Sequence, residues 1–190
     1  MTASTFRIGD GQPVAYETAT HLWAKSAREI LVEKAREYGG DVSDGELAAE
    51  VQRRTGVKTR VAVTSWVGAV LDEVATEAHG RGEPALTALC VREDGRAVVG
   101  YGETVARLTG TAPADADRHA AEQRFACYQR FGARLPADGG RPAPSRRVAA
   151  ARSSRTVRRE PAVRKVERPV SVCPQCFMAL PATGVCDNCG

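Results

Sequence analysis

Apolar residues recur at helical spacing in several stretches of this chain. Trp23, Ala27, Ile30, Leu31 and Tyr38 predict a helix that begins at His21 and stops at Gly39-Gly40. In Ser43-Asp44-Gly45-Glu46 the serine can cap a helix and the glutamate three residues on can return the bond, ahead of apolar Leu47, Ala48 and Val51. Gly56 ends that second helix. Ser65 is placed to cap a third, whose Val67, Val70, Leu71, Val74 and Ala78 share a face before Gly80-Arg81-Gly82-Glu83-Pro84 closes it.

The pattern then changes. Leu86–Val91 and Ala97–Tyr101 are rich in strand formers and flank Asp94-Gly95, a hairpin turn signal. Three helices followed by a hairpin give the order of a winged helix-turn-helix. Pro113 and Asp115 open a fourth helix carrying Ala121, Phe125, Tyr128 and Phe131. The expected fold is mainly α with a small β-hairpin, plus a separate C-terminal zinc ribbon. The boundaries are an N-terminal arm at 1–14, the helical domain at 15–140, a basic flexible linker at 141–170 and a four-cysteine ribbon at 171–190.

Charge separates these parts. Residues 141–170 hold ten Lys and Arg against Glu160 and Glu167, whereas residues 1–140 hold 17 against 20 acids, so the overall +4 belongs to the linker. Its Arg146, Arg147, Arg152, Arg155, Arg158, Arg159, Arg164 and Lys165 are dense enough to neutralise several phosphates without reading sequence. In the domain, Lys58, Arg60, Arg92 and Arg96 are the candidate phosphate contacts. The third helix carries Asp72, Glu73 and Glu77, a composition that phosphates repel. No basic leader with an apolar core follows Met1 and no apolar run reaches membrane-spanning length, so a cytoplasmic protein without a membrane partner is expected.

Of six cysteines, Cys173, Cys176, Cys186 and Cys189 form two C-x-x-C pairs nine residues apart. Each pair can offer two thiolates to one metal, and four thiolates complete the tetrahedral shell of a structural zinc with no position left for water or substrate. The six-cysteine pattern of a reducing compartment leaves Cys90 and Cys127 as small buried hydrophobes.

Two resemblances follow from these motifs. Cys173-Pro174-Gln175-Cys176 and Cys186-Asp187-Asn188-Cys189-Gly190 resemble the short zinc ribbons of many bacterial and archaeal proteins, which bind nucleic acid or protein; Phe177 stands where the first knuckle usually has glycine. Asp44-Gly45-Glu46-Leu47-Ala48, Val67-Gly68-Ala69-Val70-Leu71 and Gly100-Tyr101-Gly102 resemble the winged-helix domain of DNA alkylguanine alkyltransferases and their alkyltransferase-like relatives, over Asp41 to Glu103. The resemblance implies a reactive cysteine near Cys90, but Leu89 and Val91-Arg92-Glu93 replace the proline and His-Arg-Val of that family's motif, so the activating histidine is missing.

The function expected is a non-enzymatic zinc protein that binds DNA or RNA through linker and ribbon, with no catalytic residue. The alternative is a protein-protein adaptor using the helical domain and an apolar ribbon patch of Phe177, Met178 and Leu180. An alkyltransferase-like repair protein is the third.

Overall fold

A computed structural model describes residues 4–148, Cys173–Met178, Cys186 and Cys189. They belong to two units, residues 4–148 in one and the cysteine-bearing residues in the other.

The first unit opens with strand β1, Thr5–Arg7, and helix α1, Tyr16–Ala35. Helix α1 starts earlier than its apolar repeat suggests because Ala19 is also buried, so the core-facing stripe extends one turn towards the N-terminus. Strand β2, Val42–Ser43, leads into helix α2, Asp44–Thr55, where the predicted capping box is complete. The Ser43 hydroxyl accepts from the Glu46 amide at 3.2 Å and the Glu46 carboxylate accepts from the Ser43 amide at 2.9 Å. Gly56 ends α2 in the left-handed region, a conformation that costs glycine nothing.

Strand β3, Val57–Thr59, pairs antiparallel with β1, Thr5 opposite Thr59 and Arg7 opposite Val57. The expected N-terminal arm is therefore part of the domain, and Thr5 is buried. A short 3-10 turn, Val63–Ser65, precedes helix α3, Val67–Gly80; Trp66, not Ser65, occupies its N-cap.

The expected hairpin of Leu86–Val91 with Ala97–Tyr101 does not form. Leu86–Leu89 is a 3-10 turn, and strand β4, Cys90–Val91, pairs parallel with β2. A single Val91–Ala97 bridge and the Asp94-Gly95 turn remain of it. Gly100-Tyr101-Gly102, expected as a wing, instead starts helix α4, Tyr101–Thr109, whose Tyr101 and Val105 face the core. Burial wins over strand propensity here: starting a helix at Tyr101 buries its ring together with Val105, and an exposed wing would leave Tyr101 in water. No wing is present among the described residues. Helix α5, Ala116–Arg130, is capped by Asp115 as predicted, its carboxylate accepting from the amides of Asp117 and Arg118.

The core is built around Trp23 and Trp66, whose ring centroids lie 4.4 Å apart, with Leu31, Leu47, Val51, Val70, Val74, Leu86 and Leu89 packed about them. Residues 141–148, the start of the expected linker, lie against this unit. A Cβ on Gly95 would come within 2.6 Å of the Val148 amide, so the segment passes directly over that turn. No described helix is long and apolar enough to cross a membrane.

Candidate metal centre

The four C-terminal cysteines converge as their spacing predicts. Their Sγ atoms all lie within 4.8 Å of one another. Cys173 stands 3.4 Å from Cys189, Cys176 3.4 Å from Cys186, and Cys189 3.6 Å from Cys176 and 3.4 Å from Cys186. Four sulfurs at about 2.3 Å from a zinc ion stand roughly 3.8 Å apart along the edges of a tetrahedron. Four of the six separations are within about 0.4 Å of that edge and the other two are no longer than 4.8 Å, so the residues fit a four-thiolate metal site.

Local backbone geometry assembles the first pair. The Phe177 amide donates to the Cys173 carbonyl and the Cys173 amide donates to the Met178 carbonyl, both at 2.9 Å, which curls Cys173–Met178 into a knuckle. Amides of Gln175 and Cys176 point at the Cys173 sulfur and lower its pKa to about 6, the direction a metal ligand needs. Cys189, pressed against the sulfurs of Cys173, Cys186 and Cys176, moves the other way, to about 11. Four crowded thiols cannot all ionise without a cation; the lowering at Cys173 is the shift set by fixed amides, and a bound metal would reverse the one at Cys189. Phe177 closes the knuckle with φ +56°, the left-handed region, which a side chain enters at a cost of about 1–2 kcal/mol. Among the described residues it is the only one other than glycine with positive φ.

The candidate phosphate contacts of the domain separate into paired and unpaired groups. Arg92 and Arg96 share Asp94, at 3.4 and 3.9 Å. Arg147 reaches Asp41 at 3.0 Å and also contacts Glu46, while Arg146 donates to the Tyr38 carbonyl at 3.2 Å. Lys58 and Arg60 make no ion pair among the described residues, and neither does Arg7, which the sequence pattern left in the arm. Arg60 lies over the Phe6 ring, 5.1 Å from its centroid. Register sets Arg7 apart from the other two: Phe6 is opposite Lys58, so Phe6, Lys58 and Arg60 share one face of the β1–β3 ribbon, while Arg7, opposite Val57, falls on the face of Val57 and Thr59. Alternation of Phe6 and Ile8 about Arg7 was the available sequence signal for that strand. Arg152, Arg155, Arg158, Arg159, Arg164, Lys165 and Leu180 lie outside the described residues.

Helix α3 has its acidic face tied up internally. Asp72 accepts from the Thr104 hydroxyl and pairs with Arg107 at 3.2 Å, Glu73 meets His21, and Glu77 pairs with Arg28 and Arg81. Cys90 is 1% exposed, and burial, reinforced by Asp44 and Asp41, pushes its thiol far above the ordinary range, away from the thiolate that alkyl transfer requires.

No protein-family model, curated protein or solved structure matches this chain. The likeness to the alkyltransferases therefore rests on its short motifs alone.

Proposed function

We propose that this is a zinc-containing nucleic-acid-binding protein without enzymatic activity, acting in the cytoplasm, in which the Arg-rich segment and the four-cysteine unit hold the polymer. The observation that carries this reading is the company the four-cysteine cluster keeps: it follows directly on residues 141–170, the one strongly cationic stretch of the chain. Zinc held by four thiolates is structural, since the shell is closed to substrate. Unpaired Arg7, Lys58 and Arg60 supply a second, weaker set of phosphate contacts on the domain, and linking two weak surfaces raises the affinity of both. The buried, unactivated Cys90 supports a non-catalytic role.

The test is binding of zinc-loaded full-length protein to generic single- and double-stranded DNA and RNA at two salt concentrations. It is paired with a full-length variant in which Arg152, Arg155, Arg158, Arg159, Arg164 and Lys165 are all glutamine. Binding that falls steeply with salt, with a much shallower slope in the variant, is expected. No binding at low salt rejects the reading and leaves the adaptor, which the exposed Phe177 and Met178 favour.

A further inference from the structure

Phe177 combines two unfavourable features. Its backbone is held in the left-handed region, where a glycine would sit without strain, and its ring is 79% exposed to water. The knuckle accounts for the backbone conformation, which glycine would adopt at no cost, but not for a large apolar ring held in water.

The backbone that carries the ring is held in place. Cys176 on one side is a metal ligand by geometry, and the amides of Phe177 and Cys173 clamp the backbone on both sides of it. An aromatic face carried into solvent on a clamped backbone has the form a stacking platform needs. The sequence has no carboxylate from Arg168 to Cys186, and Arg164, Lys165 and Arg168 precede the knuckle.

We propose that Phe177 stacks on an unpaired base, so that the cysteine unit selects single-stranded over double-stranded nucleic acid. This rests on the nucleic-acid reading above and names its substrate class. In a duplex each base face is covered by its neighbours, so a lone aromatic platform gains nothing there; on a single strand the stack adds to phosphate contacts and tolerates any base.

The experiment compares wild-type, Phe177→Gly, Phe177→Leu and Phe177→Trp full-length proteins, each loaded with zinc. The probes are a fluorescent single-stranded DNA oligomer and its duplex, with zinc affinity measured in parallel by chelator competition. Phe177→Gly should hold zinc at least as tightly as wild type and lose about 5- to 100-fold in single-strand affinity with unchanged duplex affinity. Phe177→Leu, which keeps an apolar side chain without a π face, should lose nearly as much. Phe177→Trp should bind as well as wild type, and its new indole should be quenched by the single strand; Trp23 and Trp66 are buried and out of reach. Wild-type single-strand affinity in Phe177→Gly or Phe177→Leu overturns the platform while leaving the nucleic-acid reading intact. Wild-type protein that binds no nucleic acid at low salt overturns both.

Discussion

The Ser145 hydroxyl donates to the Asp41 carboxylate at 2.5 Å, joining positions 104 residues apart. Arg147 completes the contact through its own pair with Asp41, so the first residues of the basic stretch are anchored on the domain at the entry to α2. Ser145→Ala removes the donor, and a largely buried carboxylate loses one bond, at a cost of about 1–2 kcal/mol to the local contact. The amides of Arg147 and Val148, which donate to the hydroxyl and carbonyl of Ser145, should then exchange with solvent faster while the core amides keep their rates. Hydrogen exchange read by mass spectrometry checks this, and unchanged protection over 145–148 counts against the anchor.

Glu46 couples that anchor to pH. Its carboxyl is held below the usual carboxylate range, first by the Ser43 amide and then by Arg147. The lowered folded-state pKa means its contribution is complete above the unfolded value of about 4.5 and is lost as pH falls through the lower folded value. Glu46 is half-exposed, so the effect is at most about 1 kcal/mol. Urea unfolding followed by tryptophan emission should show wild type and Glu46→Gln converging in stability between about pH 5 and pH 3, with wild type the more stable at pH 7. A constant gap across that range removes the ionised Glu46 from the account.

Local chemistry was legible in the sequence wherever the deciding partner lay within a few residues. The Ser43–Glu46 box, the Gly56 stop, the Asp115 cap and the cysteine cluster all appear where their spacing put them. What the sequence hid depends on distant partners. Cys90–Val91 became a parallel strand because Val42–Ser43, far upstream, supplies the pairing. Tyr101 was read as the end of a strand and as part of a wing, although its spacing of four from Val105 already had helical period. Arg7 was passed over because β1 is defined by β3, and Arg146 and Arg147 were assigned to phosphate although Tyr38, Asp41 and Glu46 hold them in the fold.

The two core tryptophans should respond differently to the same substitution. Trp23 donates its indole N–H to the Val57 carbonyl at 3.0 Å, whereas the Trp66 indole nitrogen is buried with no hydrogen-bond partner. Trp23→Phe gives up packing volume and strips the carbonyl of that donor, an added cost of about 1–3 kcal/mol. Trp66→Phe gives up similar volume but removes an unsatisfied donor, which offsets part of the loss. Chemical denaturation should therefore rank Trp23→Phe below Trp66→Phe in stability by about 1–3 kcal/mol. Equal losses would place an unseen acceptor at Trp66.

Thiol counting separates the roles of all six cysteines in one experiment. In zinc-loaded native protein the four clustered thiolates are shielded by the metal, while Cys90 and Cys127 are buried, with Cys127 pushed up to about 12. An aromatic disulfide reagent should find almost no fast-reacting thiol. A strong chelator should release one zinc per chain and expose four, and the tryptophan emission of the domain should stay unchanged, because the core around Trp23 and Trp66 contains none of those four cysteines. Denaturant should then expose the remaining two. Replacing Cys173 by serine removes one thiolate of the shell and should weaken zinc binding by orders of magnitude without altering the slow pair. A fast thiol in native zinc-loaded protein that disappears in Cys90→Ser is the contrary result: it would mean that Cys90 is accessible and ionised, and would return alkyl transfer to consideration.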